Sequence, residues 1–595
     1  MSHLLRGLNT IQVVGIGPED AIGIALAEAF ENVLFLPDKK SLATNTPSLI
    51  VDITSSETLI GPLTLANRAG CWRCAFERMS AARGTSELTT EQNTLQLRDE
   101  ISEKLAPILI REIQVINTAG LKQSSLVDHV LVVDLSTLDE SLHKIIPLAR
   151  CEVCGGAAAF PSTTVEHISL STEDPPEFVL GALAGWVDRR TGVISDLFIK
   201  PPDDPRVSLP IIAMAAPPYV MEKDGSLHRL PAGWGKGLTI SGAVLSAVGE
   251  AIERYSASVV DSEKIVWKRP NELDGDTLNP GDLGLYSDAQ YDQDDFPFVR
   301  FDSSIPHPWV LGSWLHNGKP VWLHAIFVYL FIELHREQLI AQGTSNGLAA
   351  STSRDDAALR AILELVERDA FMTTWLTASP TERIQLDDTF DPLLRTVLDG
   401  IEALGATVEV YTLPVSVIGT TVLCLALGDG DRYPGVTFGL GCDLDPRAAL
   451  RQAVLELGQT GPYLRRMMRS GVLTAADDPS GVRAMLDHAS YYFPKERAPS
   501  FDRLRSKETV SLRDLKSVAT RSFQDCVAAL NEAEVRVALV NVTSADVATG
   551  PFSVMRAISP DLQSIWYGYG LEREPVERVR KRGIASDIPP INPIW

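Results

Sequence analysis

Basic residues are in short supply: 54 Lys and Arg face 77 Asp and Glu, a net charge of −23. Binding along a phosphate backbone needs clustered Lys and Arg to displace counterions, so no nucleic-acid partner is expected. A basic run, RVRKR at 578–582, reads as a solvated helix face or a local anion contact. Long apolar runs are missing too. The opening stretch, MSHLLRGLNTIQVVGIG, has no apolar segment ending in a small-residue cleavage site, which speaks against a secretory signal. The most apolar segment, VWLHAIFVYLFIEL at 321–334, is shorter than a membrane span and contains His324 and Glu333. It is expected as buried core, in a cytoplasmic protein with no membrane partner. Fixed-period repeats and low-complexity tracts are absent, the acidic loop SDAQYDQDDF at 287–296 coming nearest. Cysteine is scarce as well, with seven in the chain. In a reducing compartment, paired cysteines are better candidates for a metal than for disulfides.

What is present describes an ordinary globular protein, 45% apolar and 22% charged. Its 595 residues exceed what one hydrophobic core comfortably serves, so two or more domains are expected. IQVVGI at 11–16, then Gly17, Pro18 and a helical stretch at 21–30, form a strand–turn–helix opening. Strands follow at 48–53 (SLIVDI) and 129–135 (HVLVVDL), with helical character around 89–113. That alternation predicts an α/β, Rossmann-like fold with a parallel sheet covered by helices. The turn Gly15-Ile16-Gly17-Pro18-Glu19-Asp20 lacks the third glycine of a dinucleotide fingerprint and would turn two acids toward a phosphate. It is read as structural. Prolines at 201, 202, 205, 210, 217 and 218 break up the next stretch and place a boundary near 195–205. The expected domains are 1–200 and 201–595, the second again alternating helices and strands.

Cys71-Trp-Arg-Cys74 and Cys151-Glu-Val-Cys154-Gly155-Gly156 are two C-x-x-C pairs. The spacing lets one tight turn present two thiolates to one ion, and four thiolates make a closed structural zinc site. The long interval between the pairs implies two loops clamped together. Cys424, Cys442 and Cys526 lack paired spacing and read as buried structural cysteines, not nucleophiles.

The residues at 241–255 have strong helical character and carry Ser246, Glu250, Glu253 and Arg254. Residues three and four apart are neighbours on a helix, so Ser246, Glu250 and Glu253 share a face. Alone, these acids could be solvated, with Glu250 and Arg254 a surface pair. The pattern recurs at 344–371 as Glu364, Glu367 and Arg368, after the turn-forming Ser345-Asn346-Gly347. A third helix at 447–460 puts Gln452 and Glu456 one turn apart on an otherwise apolar face. Several carboxylates on apolar helices resist burial unless a divalent cation neutralises them, and magnesium retains phosphate oxygens as ligands. Lys236, between Gly235 and Gly237, suits a phosphate without forming a Walker motif.

The strings GKGLTISGAVLSAVGEAIERY and TSNGLAASTSRDDAALRAILELVERDAF, with the Gln452–Glu456 helix, resemble the YcaO superfamily of ATP-dependent peptide-backbone modifiers. The resemblance covers about residues 205–595. It implies that Ser246, Glu250, Glu253, Asn346, Glu364, Glu367 and Glu456 contact ATP or its Mg2+ ions. Lys236, Arg254, Arg368 and Gln452 are then phosphate or structural partners. Gly61-Pro62-Leu63 and Cys71-Trp-Arg-Cys74 resemble the zinc-bearing, adenylating-enzyme-like scaffold domain of thiazole/oxazole-forming maturases.

The resemblance implies cyclodehydration of a ribosomally made precursor peptide, as in bacteriocin maturation. A Cys, Ser or Thr side chain attacks the preceding carbonyl, the oxyanion takes the terminal phosphoryl of ATP, and phosphate departs to leave a thiazoline or oxazoline. No enzyme nucleophile is required, and no G-x-S-x-G or H-E-x-x-H is found. Thioamide or macroamidine formation would use the same ATP site; a docking subunit without turnover is a third reading, disfavoured by the intact carboxylate set. Azoline-forming members often end in P-x-P-x-P. This chain ends in Pro589, Pro590, Pro593 and Trp595, proline-rich but differently spaced. No module of winged-helix size precedes the strand at 11, so a separate leader-binding partner protein is expected. A flavin-dependent azoline oxidase and a homodimer complete the expected partners.

Overall fold

The computed structural model describes residues 10–14, 32–36, 48–53, 56–64, 68–84, 124–160, 170–221, 227–516 and 522–595, plus a few isolated positions. Six strands near the N-terminus share one sheet, in the spatial order Asn32–Leu36, Thr10–Val14, Ser48–Ile53, Glu57–Thr64, His129–Asp134 and Glu140–Lys144. The first three run parallel; from Ser48–Ile53 onward every pairing is antiparallel. The parallel sheet expected from the sequence is thus half right. Only three residues separate Ile53 from Glu57, and so short a link can only fold the chain back on itself, whereas a parallel return needs a crossover. The α/β class itself is as expected. The glycine turn at 15–20 and the helical stretches at 21–30 and 89–113 lie, apart from isolated positions, outside the described residues.

Helix α1 (Trp72–Arg83) leaves this sheet with Cys71 as its N-cap. At the proline-rich boundary, strands Asp196–Lys200, Ile211–Ala216 and Gly233–Gly237 form one antiparallel sheet across residues 195–205. Beneath it, Ile146, Val179, Leu183 and Trp186 share a hydrophobic cluster with Val244, Val248, Ile252 and Tyr255.

Three strand–helix units then organise the rest. Helix α2 (Ile240–Ser258) follows strand Gly233–Gly237, α3 (Arg354–Thr377) follows Leu348–Ser351, and α4 (Pro446–Arg469) follows Val436–Asp443. Each helix opens on a side-chain N-cap: Thr239 accepts from Gly242, Ser353 from Asp356 and Asp445 from Arg447. The glycines of Gly233–Gly237 explain how close α2 lies. A methyl at Gly235 would sit 1.9 Å from the carbonyl oxygen of Ala243, so only glycine lets strand and helix backbones touch. Gly439 and Gly441 serve α4 in the same way. Helix α3 packs on a seven-stranded sheet that includes Leu348–Ser351 and Ser553–Ile558, and α4 on a five-stranded one that includes Val436–Asp443. The apolar segment at 321–334 becomes strand Pro320–His324 and a short 3-10 helix, Ala325–Phe327, with Val321, Leu323 and Val328 buried but Phe331 exposed. Among the described residues, no helix is long and apolar enough to cross a membrane.

Candidate active site

Glu250, Glu364 and Glu456 each stand eleven residues after the N-cap of their own helix, so three similar units bring a carboxylate to the same depth. Three residues further on come Glu253 and Glu367, where α4 has Gln459. Pairwise contacts tie this set together. Glu250 accepts from Arg254 Nη2 at 2.5 Å and Nε at 3.1 Å through one oxygen, and from the Trp234 backbone N–H at 2.9 Å through the other. Lys236 Nζ lies 3.4 Å from Glu456, and Arg368 Nη1 lies 3.2 Å from Glu367. With Gly233, Gly235 and Gly237 facing α2, the alternation of a strand turns Lys236 the other way, toward α4.

The backbone N–H of Gly347 lies near enough to the Glu364 carboxylate to favour its charged form. Gly347 has φ +86°, and a methyl there would lie 2.5 Å from the Ala557 carbonyl oxygen; only glycine fits this turn of the Ser345-Asn346-Gly347 loop. Ser246 and Gln452 are placed differently. Both are exposed, one helical turn before Glu250 and Glu456, and the Gln452 amide donates to Asp443 at 3.2 Å.

Electrostatics mark this cleft as unsettled. Burial, reinforced by the charges of Glu364 and Glu250, pushes Glu253 well above the carboxylate range. Burial likewise raises Glu364 and Glu367 to about 7, against the opposing pull of Arg368. Arg368 is itself penalised by burial, but Glu367, Glu456 and Glu364 outweigh that and hold it above the ordinary arginine value. Glu367 is buried, but the other four glutamates keep partial solvent access, and the side chains of Glu250 and Glu456 are 28% and 22% exposed. They border a partly solvated cleft with Glu367 at its buried end.

Two residues that sequence reasoning missed complete the cleft. Arg556, on strand Ser553–Ile558, feels the charges of Glu364 and Glu253; burial lowers its pKa to about 10. Its Nε donates to the Phe327 carbonyl at 2.7 Å. Burial raises the Tyr567 hydroxyl, which also feels the charges of Arg368, Glu364 and Arg254. A signal for Arg556 existed, since it is the charged residue in the otherwise apolar strand core VMRAI; nothing local marks Tyr567. The proline-rich end reaches the same loop, because Asn592 Nδ2 donates to the carbonyl of Trp566 at 3.2 Å. Two buried polar atoms here lack a protein partner, Asn346 Oδ1 and Arg556 Nη1. Buried polar groups are almost always bonded, so the pair points to a polar ligand. Carboxylates for a hard cation, with Lys236, Arg254 and Arg368 for anionic oxygens, fit a magnesium-bound phosphate group.

The second candidate site is the cysteine cluster. The sulfurs of Cys71, Cys74, Cys151 and Cys154 all lie within 4.8 Å of one another, with Cys71–Cys151 at 3.6 Å and Cys74–Cys154 at 3.7 Å. Cys151–Cys154 is a tight turn closed by the Gly155 N–H on the Cys151 carbonyl at 2.7 Å, and Gly155 and Gly156 both have positive φ. Three of the thiols are buried and Cys154 half-buried, which leaves no open coordination position. The donor set and spacing fit a tetrahedral structural zinc ion.

Comparison with known proteins agrees with this arrangement. Residues 234–563 match the family model described as YcaO cyclodehydratase, ATP- and Mg2+-binding. An uncharacterized protein of Methanothermobacter thermautotrophicus (strain Delta H) is 24% identical over 325 residues, 54% of this chain and 76% of its own length. A solved heterocyclase in complex with substrate and cofactor superposes with a TM-score of 0.74 at 19% identity, covering 98% of this chain and 86% of the other. The heterocyclase TruD superposes with a TM-score of 0.63, also at 19% identity, over 94% of this chain and 80% of its own. At such identities the two structures establish the fold.

Proposed function

Because the chain belongs to the YcaO cyclodehydratase family, we propose that it converts Cys, Ser or Thr residues of a ribosomally made precursor peptide into thiazolines or oxazolines, consuming ATP. The observation that carries this reading is that five glutamates from α2, α3 and α4 lie close enough to feel one another's charge, beside two unpartnered buried polar atoms.

Glu250, Glu253, Glu364, Glu367 and Glu456 would hold Mg2+, which when bound supplies charge neutralisation around the phosphates. Lys236, Arg254 and Arg368 would orient phosphate oxygens, and Asn346 Oδ1, now unpaired, would accept from the ligand or its water shell. Ser246 and Gln452 stand at the rim, where they would meet outer parts of the nucleotide. The chemistry asks the protein for in-line placement of a peptide carbonyl oxygen and a phosphoryl group, not for a covalent nucleophile. The remaining thiols are consistent with that: burial pushes Cys424, Cys442 and Cys526 up, toward the unreactive neutral form. In the same reading residues 1–200 are a scaffold whose four cysteines hold zinc, and residues 201–595 are the catalytic part.

The test is mass spectrometry of the cognate precursor after incubation with the chain, its expected leader-binding partner protein, ATP and Mg2+. One water is lost per ring formed, and Glu367→Ala stops the loss. Unchanged mass loss in that variant would remove Glu367 from the catalytic machinery; no loss with the unsubstituted chain would overturn azoline formation.

A further inference from the structure

Helix α1 begins at the cysteine cluster, and one turn after Cys74 it carries Arg78, which is only 3% exposed. The guanidinium is fully engaged. Nε donates to the Ile146 carbonyl at 3.1 Å, and Nη2 to the Pro147 carbonyl at 3.2 Å and to Asp546 Oδ2 at 2.6 Å. Nη1 donates to the Tyr255 hydroxyl at 2.8 Å, and that hydroxyl donates to the same Asp546 oxygen at 2.6 Å. Asp546 is fully buried and Tyr255 nearly so. Its other oxygen accepts from the Val547 N–H at 2.9 Å.

The three residues come from three places. Arg78 belongs to the cysteine-bearing helix. Tyr255 lies on α2 and directly follows Arg254, whose guanidinium holds Glu250. Asp546 sits in the loop that leads into strand Ser553–Ile558, which carries Arg556. A single buried knot therefore joins the cysteine-bearing helix to two elements that wall the glutamate cleft. A buried ion pair adds little net stability over apolar packing of the same volume. It does fix distance and direction, because the planar fork of arginine accepts few arrangements.

We propose that Arg78 is a positioning residue for the glutamate cleft: it holds α2 in the place and rotation that aim Glu250 and Glu253, so that the cysteine-bearing region sets how well the cleft takes Mg2+·ATP. This rests on the reading of the cleft as an Mg2+·ATP site. Without Arg78, Asp546 keeps only the Tyr255 hydroxyl and the Val547 N–H as partners in the core, and Tyr255 loses the donor that locates it.

Calorimetric titration of the full metal-loaded chain with Mg2+·ATP tests this. Arg78→Met, with unchanged circular dichroism and metal content, should bind about tenfold more weakly, and Arg78→Lys should recover part of the loss. Tyr255→Phe should weaken binding roughly threefold and add nothing on top of Arg78→Met, since both act through one contact. Arg83→Met, on the same helix but paired with Glu57 on the surface, should bind like the parent. A folded Arg78→Met chain with parental affinity would overturn the proposal. If that variant does not fold, parental affinity in Tyr255→Phe, which deletes one oxygen, overturns it equally. A parent chain that binds no Mg2+·ATP would overturn the ATP reading instead, and this inference with it.

Discussion

The thiols at 71, 74, 151 and 154 and the glutamates of α2, α3 and α4 are both crowds of acidic groups gathered from distant parts of the chain, and they are enclosed to different degrees. The thiols close on one another within 4.8 Å, and Cys71 and Cys74 have no solvent exposure. The glutamates sit deep but remain reachable, paired with Arg254, Arg368 and Lys236 without being neutralised by them. A soft, complete, dry donor set belongs to an ion that never leaves. A hard, incomplete, wet one belongs to an ion that arrives with a substrate and departs with a product.

The contrast can be broken most forcefully at the closed site. Cys74→Ser should abolish bound zinc, read by metal analysis, and destabilise the chain by more than about 4 kcal/mol in denaturant titration. Retained zinc, or a fully stable metal-free chain, would erase the distinction. At the open site the order of effects reverses. Glu367→Ala should reduce peptide dehydration by about 10³-fold, yet leave the melting temperature unchanged or raised, because a buried like charge is removed. A large stability loss there would make the glutamates structural.

A smaller effect sharpens the comparison through pH. Glu364 and Glu367 have folded pKa values near 7, above the 4.5 of a free glutamate. Between those values the folded chain holds protons that the unfolded chain has released, so these groups contribute stability that declines as pH rises from about 4.5 to 7. Magnesium competes with the same protons. Its affinity should therefore rise roughly tenfold or more from pH 6 to pH 8, seen as a growing Mg2+·ATP shift in melting temperature. A pH-independent shift would mean that these two carboxylates are not ligands. The smallest effect is expected at the rim: Gln452→Ala should change Mg2+·ATP affinity less than about threefold and stability by under about 0.5 kcal/mol.

Much of this was legible in the residues because helical spacing is local. E-x-x-E-R puts both glutamates on one face wherever the helix goes, whereas the N-caps at 239, 353 and 445 came from the structure. The C-x-x-C pairs were legible for the same reason, the geometry of a single turn. Arg556 and Tyr567 were not, since their relation to Glu364 is made by sheet pairing and by a loop some 200 residues away, and neither leaves a periodic trace. The antiparallel half of the first sheet was hidden for a similar reason. Strand character at 48–53 and 129–134 is written in β-branched residues, but direction depends on the strand Glu57–Thr64 inserted between them.

By itself, then, the sequence determined which side chains each short element presents: two thiols per turn, two carboxylates per helix face, and glycines where strand Gly233–Gly237 meets α2. Those follow from 3.6-residue and 2-residue periodicity, which needs no partner. Only the tertiary structure decided that three helices from different sheets would aim their glutamates into one cleft. It also decided that Arg78, from the cysteine-bearing helix, would reach Tyr255 and Asp546. Those juxtapositions depend on long-range packing, in which the burial of apolar faces dictates where each charge comes to rest.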